Sequence, residues 1–459
     1  MSRPETTTAM TSAATTVPVP LPAKHMGGFN ASAFDAFLAS RDEPSWVVEN
    51  RRAAFSQFET IPWPTLRDEE WRRTDIRALK LSAFAPPSPA EPSVASQNAF
   101  VSAWDTLKGH YSAGIEHIDS VTTRHAETAN LPAGVCFLDL NTAVKTHPEL
   151  VRRYLLTEAV LPGTDALSAL HAAFWTGGTL LYVPEGVKLE VPVFSLIGLS
   201  AAGSVDMSHT LVILEDGAEA TLVQETASRD RNDVPALHAG AVELLLGKGA
   251  NLRFVNIQNW DRGTWHFSRE RAVVGEKSRV QWTVGGLGSR LAKVNQEVAL
   301  AGSGASAEVN GVMFTTGKQH LAYFTRQDHQ VPNTTSDLLY KGGLKDASRI
   351  VWKGMIRVEK DAQKTDAYQK NDSLVLSEEA RADSIPGLEI EANDVRCTHG
   401  ATAGPVDSEM VFYLQSRGIR RDEAVRLIVE GFFANVYDRI TLEPVRETLR
   451  QAVATKLEL

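Results

Sequence analysis

The sequence predicts a mainly β protein, a solenoid of stacked coils with a helical segment at each end. Three observations predict it. The hydrophobic period changes from 3.6 to 2 near Gly178 and stays near 2 over about two hundred residues. A turn in which a small residue follows a polar one returns at near-constant spacing, with intervals of 32, 28 and 27 residues from Gly217 to Gly249, Lys277 and Gly304. Helical periodicity is confined to the flanks, before about Val160 and after Gly404.

Residues 1–28 are rich in Thr, Ala and Pro and include the run Val17-Pro-Val-Pro-Leu-Pro22. Such a composition buries too little apolar surface to order itself, so a disordered tail is expected. Arg3 and Lys24 are its only Arg and Lys residues, few for an organelle transit peptide. Residues 29–160 read as a mostly helical domain. Phe34, Phe37 and Leu38 fall at helical spacing, Pro44 opens a run through Phe55 and Phe58, and Pro148 suits a first helical turn. Ala85 to Ser96, rich in Pro, Ser and Ala, reads as a loop.

Residues 161–403 form the solenoid core. Val280, Trp282 and Val284 alternate with Arg279, Gln281 and Thr283, and Ile350, Trp352, Ile356 and Val358 with Lys353 and Arg357. Alternation of this kind marks strands with one face buried. The turns are Glu185-Gly186-Val187, Asp216-Gly217-Ala218, Lys248-Gly249-Ala250, Glu276-Lys277-Ser278, Ser303-Gly304-Ala305, Asp346-Ala347-Ser348 and Asp361-Ala362-Gln363. Their long return distance favours a coil stacked on copies of itself over a sandwich, whose turns come about every 8–12 residues. Residues 404–459 return to helical spacing. Asp407 is placed to cap a helix ended by Gly418, Asp422 to cap the next, and Pro444 to open a last one. A unit this short must pack on the solenoid end, on a partner or on both, and because a solenoid needs its ends covered, two helical flanks fit that requirement.

Composition excludes several function classes. With 459 residues, 43% hydrophobic and 22% charged, the chain can bury a large core. Its longest apolar stretch, Val191 to Gly203, is interrupted by Ser195 and Ser200 and is too short to span a membrane. Forty-seven basic against fifty-six acidic side chains give a formal charge of −9, unsuited to a long nucleic-acid footprint. Only Cys136 and Cys397 are present, which excludes a disulfide scaffold or a Cys-rich metal centre in one chain and favours a reducing, cytoplasmic setting. Gly275-Glu-Lys-Ser278 resembles the end of a phosphate-binding loop, but Glu276 splits the Gly-Lys pair and the upstream glycine is missing. No dinucleotide-binding glycine motif is present either.

The most distinctive chemistry lies in Val395-Arg-Cys-Thr-His399. On a strand, Cys397 and His399 share a face, and a thiolate beside an imidazole suits a soft or borderline metal. Two donors are half a tetrahedral shell, so closure needs solvent, a cluster or another chain. The bland reading of Cys397 is a core cysteine, because Val395 shares its face. A Cys–His nucleophile lacks an identifiable oxyanion hole. Asp383, Glu389, Glu391 and Asp394 suggest a sugar-cleaving solenoid, although Glu389 and Glu391 more simply occupy the face opposite Leu388 and Ile390. His320, Asp328 and His329 suit a solvated turn or a satisfied core histidine, and Trp260, Trp265, Trp282 and Trp352 suit core or interface.

Val358 to Gly404, reading VEKDAQKTDAYQKNDSLVLSEEARADSIPGLEIEANDVRCTHGATAG, closely resembles the SufB/SufD family of iron–sulfur cluster assembly proteins. Supporting matches are Ser168-Ala-Leu-His171-Ala-Ala-Phe-Trp-Thr-Gly-Gly178, Asp328-His329 with Ser336 to Lys341, and Phe412-Tyr-Leu-Gln-Ser-Arg-Gly418. Asp68-Glu-Glu-Trp71-Arg-Arg-Thr74 and Cys397-Thr-His399-Gly400 resemble the SufD branch, although Arg73 stands where an aromatic is usual and Thr398 where Ser is common.

The resemblance implies a right-handed parallel β-helix with α-helical domains at both ends. It implies a non-enzymatic scaffold with no permanently bound cofactor, on which a transient iron–sulfur cluster forms at a SufB–SufD interface. His399, with Cys397 beside it, would serve that cluster. The implied partners are a SufB-like paralogue, a SufC-like ABC ATPase docked on the C-terminal helices, and indirectly a SufS/SufE-type cysteine desulfurase. Asp407, Phe412, Tyr413, Arg417, Phe432 and Phe433 are the expected docking residues. The alternatives are a SufB-like cluster carrier, a homodimer in isolation, and a polysaccharide-cleaving solenoid.

Overall fold

The computed structural model describes residues 28–87, 111–126, 131–200, 203–228 and 234–458. The tail before Gly28 lies outside them, as does most of the Ala85 to Ser96 loop. From Gly178 to Pro405 the chain winds through eight coils, each giving one strand to each of two sheets. One sheet begins with the antiparallel pair Ala113–Ile118 and Val121–Ala126. It continues in parallel through Val193–Leu199, Glu219–Ser228, Asn251–Asn259, Arg279–Gly286, Ser306–Thr315, Thr335–Leu344 and Asp366–Val375 to Arg396–Pro405. The second begins with Cys136–Asp139 antiparallel to Gly178–Val183. It runs through His209–Leu214, Ala236–Leu246, Thr264–Val274, Leu291–Leu300, His320–His329 and Arg349–Val358 to Arg381–Ile390.

The turns stack in a column along one edge. Gly186, Gly217, Gly249, Lys277, Gly304, Asn333 and Lys364 all have positive φ, between 56° and 76°. Backbone bonds join them coil to coil: Gly186 N donates to Asp216 O, Gly217 N to Lys248 O and Gly249 N to Glu276 O at 2.7–2.8 Å. Five of the seven expected turns are members of this column. Asp346, also at positive φ, belongs to the opposite edge, where its carboxylate accepts from Gly317 N at 2.7 Å. In the last member the left-handed residue is Lys364, beyond the expected Asp361 to Gln363. The Gly275-to-Ser278 segment is such a turn and leads into a strand, so it cannot cradle phosphate at a helix N-terminus.

Between the sheets, inward side chains such as Leu252, Phe254, Val280, Trp282, Val294, Leu338 and Trp352 form one continuous core. The expected alternation is therefore correct, and all four tryptophans named above are buried.

Residues 29–160 are less helical than expected. Helices α1 (Ala31–Ala39), α2 (Ser45–Thr60), α3 (Leu140–Thr146) and α4 (Pro148–Tyr154) are present, but Ala113–Ile118, Val121–Ala126 and Cys136–Asp139 are strands that begin both sheets. Ala113–Ile118 covers the first coil by parallel pairing with Val193–Leu199, and Cys136–Asp139 by antiparallel pairing with Gly178–Val183. With α5 (Ala166–Phe174), the helices bury Phe34, Phe37, Phe55, Phe58 and Phe174 against Leu237, Trp265 and Phe267 on the outer face of the second sheet. Buried Arg51 fixes this join, donating to Glu43 and to the carbonyls of Ala173 and Trp175.

The C-terminal unit comprises α6 (Ser408–Ser416), α7 (Arg421–Tyr437) and α8 (Glu443–Glu458). Asp407 caps α6 as expected, accepting from Glu409 N at 2.8 Å. Asp422 does not cap α7; Arg420 is the N-cap, and Asp422 and Glu423 sit in the first turn, where the helix dipole favours them. The unit does not cover the solenoid end. Val429, Phe433, Val436, Leu449 and Val453 pack on Ile257, Leu287, Val312, Phe314 and Leu339, the outer face of the first sheet. Lys341 Nζ donates to Phe432 O at 2.6 Å, and Lys345 Nζ to Leu457 O at 3.1 Å. The apolar stripes of α7 and α8 meet a matching apolar outer face there.

Candidate functional site at the open end of the solenoid

Because the helices lie alongside, the last coil ends the stack. Arg381–Ile390 and Arg396–Pro405 are edge strands, each paired on one side only among the described residues. In parallel ladders alternate residues direct their N–H and C=O to one neighbour. Arg396 N donates to Thr365 O, so Cys397, His399, Ala401 and Ala403 direct their backbone groups to the open side.

The same coil holds both expected ligands. Cys397 aligns with Ala367 and His399 with Gln369, the inward positions of the preceding strand. Ala367 and Gln369 are buried, whereas Cys397 is half-buried and His399 exposed, because no coil follows to cover them. Cys397 packs against Ile356, Val358, Ala362, Ala367 and Ala392. Burial raises its pKa, so the free thiol stays protonated at neutral pH and a metal would have to displace the proton. Leu388 and Ile390, inward on the opposite strand, are more than a third exposed for the same reason.

Among the described residues no group of three or more His, Cys, Asp and Glu can hold a metal. Cys397 and His399 share one face of the terminal strand with no third such side chain grouped with them among the described residues. The core reading of Cys397 is met in part, since its half-buried side chain packs on that apolar cluster.

Asp383 is held by both Arg349 Nε and Nη2, at 3.0 and 2.6 Å. Glu389 faces Arg357 on the outer side. Six residues apart on one strand, Asp383 and Glu389 are about 20 Å apart, too far for a glycosidase pair. Glu391 is exposed, and Asp394 lies in the turn column, its carbonyl accepting from Lys364 N at 2.6 Å. Asp328 is paired with Arg326 at 3.2 Å. His329 is a satisfied core histidine, bonded to Thr334 and Ser336 at 2.7 and 2.8 Å. Burial pushes its pKa down to about 4, and that of His320 likewise.

The docking residues divide. Phe412 and Tyr413 project from α6, Phe412 71% exposed, and the Arg417 guanidinium lies 5.1 Å from the Tyr413 ring. Phe433 is fully buried, 6.4 Å from Phe314 and 5.9 Å from Tyr437, so it is core and cannot meet a partner. Phe432 is half-buried under Lys341, and Asp407 is spent as a cap. Helical spacing alone does not tell which stripe of α7 faces the sheet. Exposed Met410 and Leu427 extend the apolar surface of these helices.

A second thiol–imidazole pair escaped the sequence, Cys136 Sγ lying 3.5 Å from His147 Nε2. The N-terminal motif does not form a helix. Trp71 is buried 6.3 Å from the Phe267 ring, and Glu69 pairs with Lys353 at 2.7 Å.

Comparison with known sequences decides the family. The family model described as "SUF system FeS cluster assembly, SufBD core domain" matches residues 197–432, and "SufBD protein N-terminal region" matches residues 36–194. The chain belongs to the SufB/SufD family. It is 28% identical over 435 residues to the iron–sulfur cluster assembly protein SufD of Bacillus subtilis, covering 92% of this chain and 97% of that protein. A SufBD family protein of Staphylococcus saprophyticus is 27% identical over 418 residues, covering 88% of each. The SufB/SufD core match spans most of the solenoid, its open-ended last coil and α6. The expected β-solenoid with helical flanks is the fold observed. No helix among the described residues is long and apolar enough to cross a membrane.

Proposed function

We propose that this chain is the SufD-like scaffold of an iron–sulfur assembly complex. Its open solenoid end pairs with a SufB-like paralogue, and α6 docks a SufC-like ABC ATPase. The observation that carries this reading is the last coil: two strand edges unpaired among the described residues, one of them bearing Cys397 and His399 on one face. Edge strands recruit other strands, and a paralogue with the same architecture brings a matching edge.

In this reading the nascent cluster is cargo. His399 offers an imidazole already at the surface, and Cys397 a thiol that loses its proton only on binding iron. The paralogue supplies the other donors, and sulfur comes from a desulfurase outside the complex. The chain lacks a phosphate-binding loop, so the work of opening the interface comes from the ATPase through α6 and α7. The 28% identity to a SufD protein supports the branch.

The test is co-expression with the paralogue and the ATPase. A coloured complex is expected for wild type and an assembled but colourless one for His399→Ala. Unchanged colour in His399→Ala overturns the ligand assignment.

A further inference from the structure

A cavity of about 360 Å³ lies where the N-terminal unit meets the first coil, at the opposite end of the solenoid from His399. Its walls come from the segment after α1, from the hairpin turn at Ser120 and from α3, with Thr176 at the entry to the first coil. None of the residues assigned above to the cluster or to docking lines it.

Two of its polar residues are buried, Asp139 at 8% and Thr176 at 1% exposure. Asp139 Oδ2 caps α3, accepting from Thr142 N at 3.1 Å. Asp139 Oδ1 and Thr176 Oγ1 have no partner among the described residues. Gly177 follows at φ 82°, and a Cβ there would lie 3.0 Å from Asp139 Oδ1 and 2.5 Å from Asn141 Nδ2. Only glycine leaves those two side-chain heads their place.

The cavity also carries cations. The largely buried Arg41 guanidinium is held in orientation, Nε donating to Glu43 Oε1 at 2.5 Å and Nη2 to Asn141 Oδ1 at 2.7 Å. A guanidinium has five N–H groups, so donors remain. The Glu43 charge is answered by buried Arg51, through bonds of 2.7 and 2.8 Å. At the mouth, Lys145 pairs at 2.9 Å with Asp42, whose side chain is fully exposed. Such a surface pair contributes little and exchanges readily.

This set of charges selects a ligand. A desolvated carboxylate oxygen without a donor calls for one, and a charged donor forms the strongest bond. A simple cation satisfies Asp139 but meets Arg41 and Lys145 as like charges. A simple anion does the reverse. A polyol answers both only with neutral hydrogen bonds, which are about half as strong. A small zwitterion answers both signs, and the cavity is ample for a molecule of that size.

We propose that this cavity binds a free α-amino acid, its ammonium group on Asp139 Oδ1 and Thr176 Oγ1 and its carboxylate on Arg41 and Lys145. The proposal does not depend on the cluster-assembly reading.

Ligand-detected NMR on the full chain tests it. The probes are the twenty L-amino acids, with ethylamine, propionate and glycerol as molecules carrying one charge or none. At least one amino acid is expected to bind, and none of those three. Asp139→Asn keeps a capping side chain and removes the charge, and should weaken binding about tenfold or more. Lys145→Met changes a half-exposed side chain that the fold does not need, and should weaken it about two- to fivefold. Failure of every amino acid to bind, equal binding of ethylamine, propionate or glycerol, or undiminished binding in either variant overturns the proposal.

Discussion

Glu270 sets a pH dependence that belongs to one residue. Burial raises its pKa from 4.5 to about 7, so the folded state binds its proton more tightly than the unfolded chain does. Its contribution is fully present below about 4.5 and is lost as pH rises through about 7. Denaturant melts should show wild type losing stability relative to Glu270→Gln between those values, by about 1–3 kcal/mol. A constant difference across that window contradicts the burial argument. At His399 the expectation is the reverse kind of result. The side chain is exposed, so His399→Ala should leave stability within about 0.5 kcal/mol while removing the cluster signal. The pairing of Cys397 with His399 was legible because strand periodicity is strict. That both are uncovered was not, since exposure here depends on where the stack stops.

On the scale of elements, the C-terminal helices separate a packing face from a free one. Phe433→Ala should cost about 3–5 kcal/mol in chemical denaturation, because it empties a site between α7 and the first sheet. Phe412→Asp should cost almost nothing in the same assay and abolish capture of the ATPase. If Phe412→Asp binds the ATPase normally, α6 is not the docking helix. Asp407→Ala should cost about 1 kcal/mol by removing the cap. The turn column was readable where glycine marks it, at Gly217, Gly249 and Gly304. It was obscured at Asn333 and Lys364, where residues with a Cβ adopt the same left-handed backbone. The strands at Ala113–Ile118 and Cys136–Asp139 were missed for a different reason. The first is buried along its whole length, so it shows no alternation, and the second is only four residues long.

For the whole molecule, the central claim is that the solenoid is left open at one end so that a second chain can continue the sheets and complete the coordination shell. The C-terminal helices do not cover the solenoid end, because their apolar stripes pack along the flank on the outer face of the first sheet. Edge geometry gives a direct perturbation: Ala401 points its N–H outward, so Ala401→Pro should fold normally yet prevent pairing. The measurement that reaches the claim most directly is amide hydrogen exchange across Arg396–Pro405, before and after the paralogue is added. Protection appearing at Cys397, His399, Ala401 and Ala403, with α6 unchanged until the ATPase joins, is the predicted result. A complex that forms while those four amides exchange as fast as in the free chain would contradict it.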